Sequence, residues 1–144
     1  MNPDAILIDT SAWIVSFKKA GDPLLKEFIK QSILSGLAAT SSVIILELVQ
    51  GCQTSEEGDT LKNTLESLDV LSMTAEAWER AYDLGFSLRR KGLTIPTVDL
   101  IIAAIAMDNK RILVHQDGHF EMIKKHYPHL RTKHFTPSEN FLTG

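Results

Sequence analysis

Four acidic residues stand apart from the solvated charges of this chain: Asp9, Glu47, Asp99 and Asp117. Each borders or interrupts an apolar run, and a buried carboxylate needs a partner. If the four converge, like charges raise one another's pKa and disfavour folding unless a divalent cation neutralises them. A carboxylate set with no histidine or thiolate in register suits Mg²⁺ or Mn²⁺, hard ions that commonly work on phosphates, better than zinc.

Such convergence depends on the elements that carry the acids. Residues 5–8 are apolar without polar alternation, as in a strand covered on both faces of a parallel sheet, so this strand is expected to be central. Asp9 follows it directly, at the carboxyl end where open α/β sheets place ligands. The competing structural role for Asp9 is helix N-cap, with Thr10 or Ser11 the other available caps. Residues 112–115 repeat the pattern and run into Asp117, so two strands deliver acids to one sheet edge. Residues 43–50 start with β-branched residues, yet two serines in front and Gly51 behind argue for a helix, which puts Glu47 inside an apolar stretch. Residues 100–107 form the most apolar segment, expected as a buried helix with Thr97 as N-cap and Asp99 in the first turn. The helix dipole alone would favour a carboxylate at that position.

The remaining pattern alternates helices and strands. Asp22 and Pro23 read as cap and first residue of a helix with apolar positions 24, 25, 28, 29 and 33, ending at Gly36. A short strand is expected at 37–40, and a capping box of Thr54 and Glu57 opens a helix to about Leu68. Another strand covers 69–73, and a helix over 74–91 places Trp78, Ala81, Gly85 and Leu88 on its apolar face with Gly92 as the left-handed residue after it. That helix ends in Arg89, Arg90 and Lys91, cations that complement the helix C-terminus or contact RNA. A short helix over 118–125, an edge strand within 131–135 and a loose tail beyond Pro137 complete the chain. The expected architecture is a single α/β domain over 1–136, a central, mostly parallel sheet with helices on both faces, and a tail over 137–144.

Composition agrees with this. A chain of 144 residues that is 44% hydrophobic supports one compact core. The net charge of −3 gives no global pull on nucleic acid, so any polyanion-binding surface must be local. One cysteine, Cys52, excludes an internal disulfide framework and fits a reducing compartment. No basic N-terminal region precedes an apolar run and no uncharged apolar segment reaches a bilayer span, so a soluble, cytoplasmic protein without membrane contact is expected. The histidines 115, 119, 126, 129 and 134 gather toward the C-terminus. His115 and His119 have the makings of a zinc pair, but with no cysteine or regular ligand set they read as surface or loop residues. Trp13 and Phe17 sit at helical spacing, suited to core packing or a subunit contact more than to stacking on bases.

In order along the chain stand Ile8-Asp9-Thr10-Ser11, Glu47 with Gly51, Val98-Asp99-Leu100-Ile101-Ile102-Ala103-Ala104, and Asp117 with Phe120. This ordered set resembles the PIN-domain family, and more narrowly the small VapC-type toxins, ribonuclease halves of toxin–antitoxin pairs. The resemblance implies that Asp9, Glu47, Asp99 and Asp117 form the acidic quartet and hold one or two Mg²⁺ or Mn²⁺ ions. Asp9, Asp99 and Asp117 would ligate directly, and Glu47 would serve a second ion or act through water. Thr10 and Ser11 match hydroxyl residues that support such sites. His115 departs from the small hydroxyl residue often found two positions before the last acid, and offers an imidazole beside the substrate instead. The implied activity is metal-dependent endoribonuclease cleavage leaving 5′-phosphate and 3′-hydroxyl ends. The implied partners are RNA, a second copy in a homodimer, and an antitoxin laid across the acidic groove. Competing readings are a PIN nuclease of RNA maturation without an antitoxin and a catalytically silent RNA-binding PIN module. A phosphoaspartyl phosphatase would need an acid where Ser11 stands.

Overall fold

The computed structural model describes residues 2–135, so the tail expected over 137–144 lies outside the described residues. Five short strands alternate with helices: β1 (Ile6–Ile8), β2 (Ala38–Ser41), β3 (Asp69–Leu71), β4 (Ile112–His115) and β5 (Thr132–His134). They pair in the order β3-β2-β1-β4-β5, every pairing parallel. β1 is central, as its uniformly apolar sequence requires, and Leu7 and Ile8 have no exposed surface.

The strand order carries the functional consequence. From β1 the chain builds outward through β2 and β3, then crosses back to place β4 on the other flank of β1 and β5 beyond it. The winding direction therefore reverses between β1 and β4, the place where open parallel sheets leave a crevice at their carboxyl ends. Ile8 is level with Val114, and the Asp9 amide donates to the Val114 carbonyl at 2.9 Å. The two chain segments leave the sheet side by side at that crevice.

Among the described residues seven helices flank the sheet: α1 (Thr10–Phe17), α2 (Pro23–Leu34), α3 (Ser42–Gln50), α4 (Ser55–Glu66), α5 (Ala75–Arg90), α6 (Thr97–Asp108) and α7 (Gly118–His126). Residues 43–50 are helical, as the serines and Gly51 indicate, with Ile44, Ile45 and Leu48 in the core. Asp22, Thr54 and Thr74 cap α2, α4 and α5 through their side chains, each satisfying an orphan amide of the first turn. Glu57 reaches back past the Thr54 cap to accept from the Gln53 amide at 3.1 Å. Gly92 follows α5 with φ +82°, the left-handed conformation a helix-ending glycine supplies without strain.

Two expectations need correction. The N-cap of α6 is Pro96, with no side-chain cap bond, and Thr97 is the first helical residue. The ring of Pro96 restricts Ile95 to extended backbone and so fixes where the helix starts. Trp78 is 42% exposed, because the face of α5 that meets the core is Ala77, Ala81, Leu84 and Leu88. Tryptophan at position 78 fits the apolar spacing only approximately, and smaller side chains occupy the close approach to α6. Trp13 is buried and stacks on the exposed Phe17 with centroids 5.8 Å apart.

Candidate metal centre

Each acid of the quartet reaches the crevice from a different element. Asp9 is the N-cap of α1 and is 3% exposed. Its Oδ2 accepts from the Ser11 amide at 2.9 Å and from the Ser11 hydroxyl at 2.5 Å. The structural role and the acidic role thus coincide, since capping pins the carboxylate at the strand end. Burial pushes its pKa up, opposed by the Ser11 hydrogen bonds and reinforced by the Glu47 charge. Among the described residues no cation pairs with it.

Glu47 projects from the middle of α3, where its Oε1 accepts from the Thr10 hydroxyl at 2.6 Å. Thr10 and Ser11 each hydrogen-bond one acid. The Ser11 hydroxyl also accepts from the Gln116 amide at 2.9 Å, so one side chain ties the end of β1 to the turn after β4.

Asp99 lies in the first turn of α6. Burial, then the charges of Asp117 and Asp9, push its pKa up to about 6, with His119 pulling the other way. Asp117 is the N-cap of α7, its Oδ1 accepting from the His119 amide at 2.9 Å. Like charge thus adds to burial at two of the acids, Glu47 acting on Asp9, and Asp117 and Asp9 acting on Asp99, a repulsion that divalent charge would relieve.

The structure also corrects the reading of two histidines. His115 is fully buried, its Nδ1 accepting from the Asp117 amide at 3.0 Å and its Nε2 lying 2.8 Å from Glu121 Oε2. With Nδ1 committed as acceptor, Nε2 carries the proton and donates to the carboxylate. Burial holds the His115 pKa low. Burial would raise Glu121, but its hydrogen bonds with Thr132 and His115 outweigh that and lower its pKa. The imidazole therefore does not stand beside a substrate; it braces the turn that presents Asp117. His119, read from sequence as a surface or loop residue, is the one that reaches the acids, with Nδ1 3.0 Å from Asp99 Oδ2 and 3.1 Å from Asp117 Oδ1. Asp99, Asp117 and His119 offer one ligand atom each within 4.8 Å of one another. The available sequence signal was position, two residues past an N-capping acid.

Arg89 and Arg90 close the last turn of α5, and Lys91 is its C-cap. Arg90 lies over the Phe86 ring at 4.8 Å, and Arg89 lines a small hollow with Thr94, Ile95 and Thr97 at the start of α6. The basic cluster thus adjoins the helix end that bears Asp99.

At the carboxyl end of this doubly wound sheet, Asp99, Asp117 and His119 form one cluster that could hold a metal ion, with Asp9 in charge contact with Asp99 and Glu47 in charge contact with Asp9. Comparison with known proteins agrees: the PIN domain matches residues 6–125. Ribonuclease VapC11 of Mycobacterium tuberculosis is 30% identical over 125 residues, 83% of this chain and 92% of that protein. Among solved structures, VapBC2 from Rickettsia felis bound to a promoter DNA fragment superposes with a TM-score of 0.75 at 21% identity, covering 91% of this chain and 98% of the other. VapC20 of Mycobacterium tuberculosis, a sarcin-ricin loop cleaving toxin, gives 0.59 at 19% identity over 82% and 94%. This chain belongs to the PIN-domain family, within its VapC ribonuclease branch.

Proposed function

We propose that this protein is a Mg²⁺- or Mn²⁺-dependent endoribonuclease, the toxin half of a toxin–antitoxin pair, with Asp9, Glu47, Asp99 and Asp117 as its metal-binding and catalytic residues. The observation that carries the reading is the arrival of four acids from β1, α3, α6 and the β4–α7 turn at one crevice, with none of them balanced by Lys or Arg among the described residues. The donor set fits a hard divalent ion: oxygen donors, partly buried, whose charges otherwise oppose one another. Beside them β2 ends in Thr40 and Ser41, whose buried hydroxyls have no partner among the described residues.

When bound, the ion supplies a more acidic water and neutralises charge on the phosphate and leaving oxygen. The chain's own residues do the rest. Ser11 and Thr10 fix Asp9 and Glu47 by hydrogen bonds, His115 fixes the turn that bears Asp117, and Arg89, Arg90 and Lys91 offer cations to the RNA backbone next to α6. An antitoxin partner fits the toxin assignment, supported by the resemblance to VapBC complexes, and a homodimer goes with it by family resemblance alone. Among the described residues no helix is long and apolar enough to cross a membrane.

The test is cleavage of labelled structured RNAs, transfer RNA included, by wild type and Asp99→Asn with Mg²⁺, Mn²⁺ or EDTA. Cutting by wild type alone, abolished by EDTA and leaving 5′-phosphate ends, is expected. Equal cutting by the variant or in EDTA overturns the mechanism. A short neighbouring gene encoding a DNA-binding protein that neutralises the activity is expected for the toxin role, and its absence favours a role in RNA maturation.

A further inference from the structure

We propose that His119 Nδ1 is a ligand of the divalent ion, making the centre a mixed nitrogen and oxygen site that prefers Mn²⁺ and other first-row transition ions to Mg²⁺. The proposal rests on the metal-nuclease reading above and adds a ligand outside the four acids.

Geometry carries it. Nδ1 stands 3.0 Å from Asp99 Oδ2 and 3.1 Å from Asp117 Oδ1. Neighbouring ligands around an octahedral ion with bonds of about 2.1 Å are about 3.0 Å apart, so the three atoms already have the spacing of adjacent coordination positions. The arrangement is braced rather than incidental. The His119 amide donates to the Asp117 carboxylate, and the next residue, Phe120, is fully buried and locks the first turn of α7. Asp9 is an independent sign that the crevice expects a cation, being 97% buried (3% exposed) with no cationic partner among the described residues. An imidazole donor shifts preference away from Mg²⁺, which favours oxygen and retained water, toward ions that accept nitrogen. The ordinary alternative is that His119 only forms ion pairs with Asp99 and Asp117.

Mn²⁺ binding followed by electron paramagnetic resonance separates these, with pulsed detection of histidine ¹⁴N coupling as the direct readout. Wild type and His126→Ala, an exposed histidine on the same helix, are expected to show the coupling, and His119→Ala to lose it. Mn²⁺ affinity should fall about 10-fold or more in His119→Ala, within the range seen when a site loses such support. His119→Asn, which keeps a short polar side chain, guards against misfolding: it should still bind Mn²⁺ but lack the imidazole coupling and the preference over Mg²⁺. Mn²⁺ bound to wild type without ¹⁴N coupling, or coupling retained in His119→Ala, overturns the ligand assignment while leaving the carboxylate centre standing. Failure of wild type to bind Mn²⁺, or binding unchanged in Asp117→Asn, overturns the metal centre and this proposal with it.

Discussion

At the scale of single residues, the crevice trades stability for charge. Asp99 has its carboxyl raised to about 6 from 3.8. A folded-state pKa above the unfolded one means that the native state binds the proton more tightly, so metal-free stability falls as pH rises from about 4 to 6 and levels off above. Removing the charge should therefore stabilise: the rise from 3.8 to about 6 is worth roughly 3 kcal/mol, so at roughly 2–4 °C per kcal/mol for a domain of this size Asp99→Asn is expected to raise the metal-free melting temperature at pH 7 by about 6 °C or more, and to have little effect near pH 4. Melting curves of both proteins in EDTA across that range check it, and a variant less stable at pH 7 would refute the sign. Ser11 works in the opposite sense, because its hydroxyl donates to Asp9 and accepts from Gln116. Ser11→Ala should cost about 1 kcal/mol of stability and weaken Mn²⁺ binding about 10-fold, measurable by denaturant titration and calorimetry.

At the scale of elements, the sequence made much of the site legible because strand ends and helix starts announce themselves chemically. The apolar runs before Asp9 and Asp117 are real strands, and both acids prove to be helix caps, a role that leaves the second oxygen of each carboxylate free for the proposed one. What could not be read was direction. Residue spacing did not say that His115 turns into the core while His119 turns toward the acids, since that depends on β5 covering one side of β4 and stacking His134 on His115 at 4.6 Å. The same turn supplies a prediction. His115→Gln keeps a donor toward Glu121 but loses the acceptor for the Asp117 amide, whereas His115→Asn keeps an acceptor near Nδ1. If bracing of the turn is what His115 provides, Asn should retain more Mn²⁺ affinity than Gln at comparable melting temperature, and the reverse order would assign its importance to Glu121. A separate element-scale effect lies after α6, where Lys110 holds φ 53° at a helix end that glycine normally occupies. Lys110→Gly should relieve about 1 kcal/mol of backbone strain, partly offset by the freer unfolded chain, and raise the melting temperature slightly without touching the crevice.

At the scale of the whole molecule, the two ends of the parallel sheet have opposite electrostatic characters. The amino end is internally balanced: Arg111 donates to the Ile6 and Leu37 carbonyls and pairs with Asp69 at 2.6 Å, and Arg131 donates to the Pro3 and Lys110 carbonyls. The carboxyl end gathers acids, with His119 as the only cation-forming group that touches Asp99 or Asp117 among the described residues. Strand order creates this division by setting β4 beside β1, a pairing that no local sequence pattern specifies because it joins segments more than a hundred residues apart. A ligand that binds only the assembled crevice must then stabilise the entire fold by RT ln(1 + [L]/Kd), about 2.7 kcal/mol at a hundredfold excess over Kd. Mn²⁺ at that excess is expected to raise the wild-type melting temperature by roughly 5–10 °C. Asp117→Asn should lose most of this rise, while Asp69→Asn, which breaks an ion pair at the far end of the same sheet, should lower the baseline and keep the rise intact. A Mn²⁺ response that vanished equally in both variants would mean that the ion reads general acidity rather than the crevice, and the division of the sheet into a balanced end and a metal-seeking end would fail.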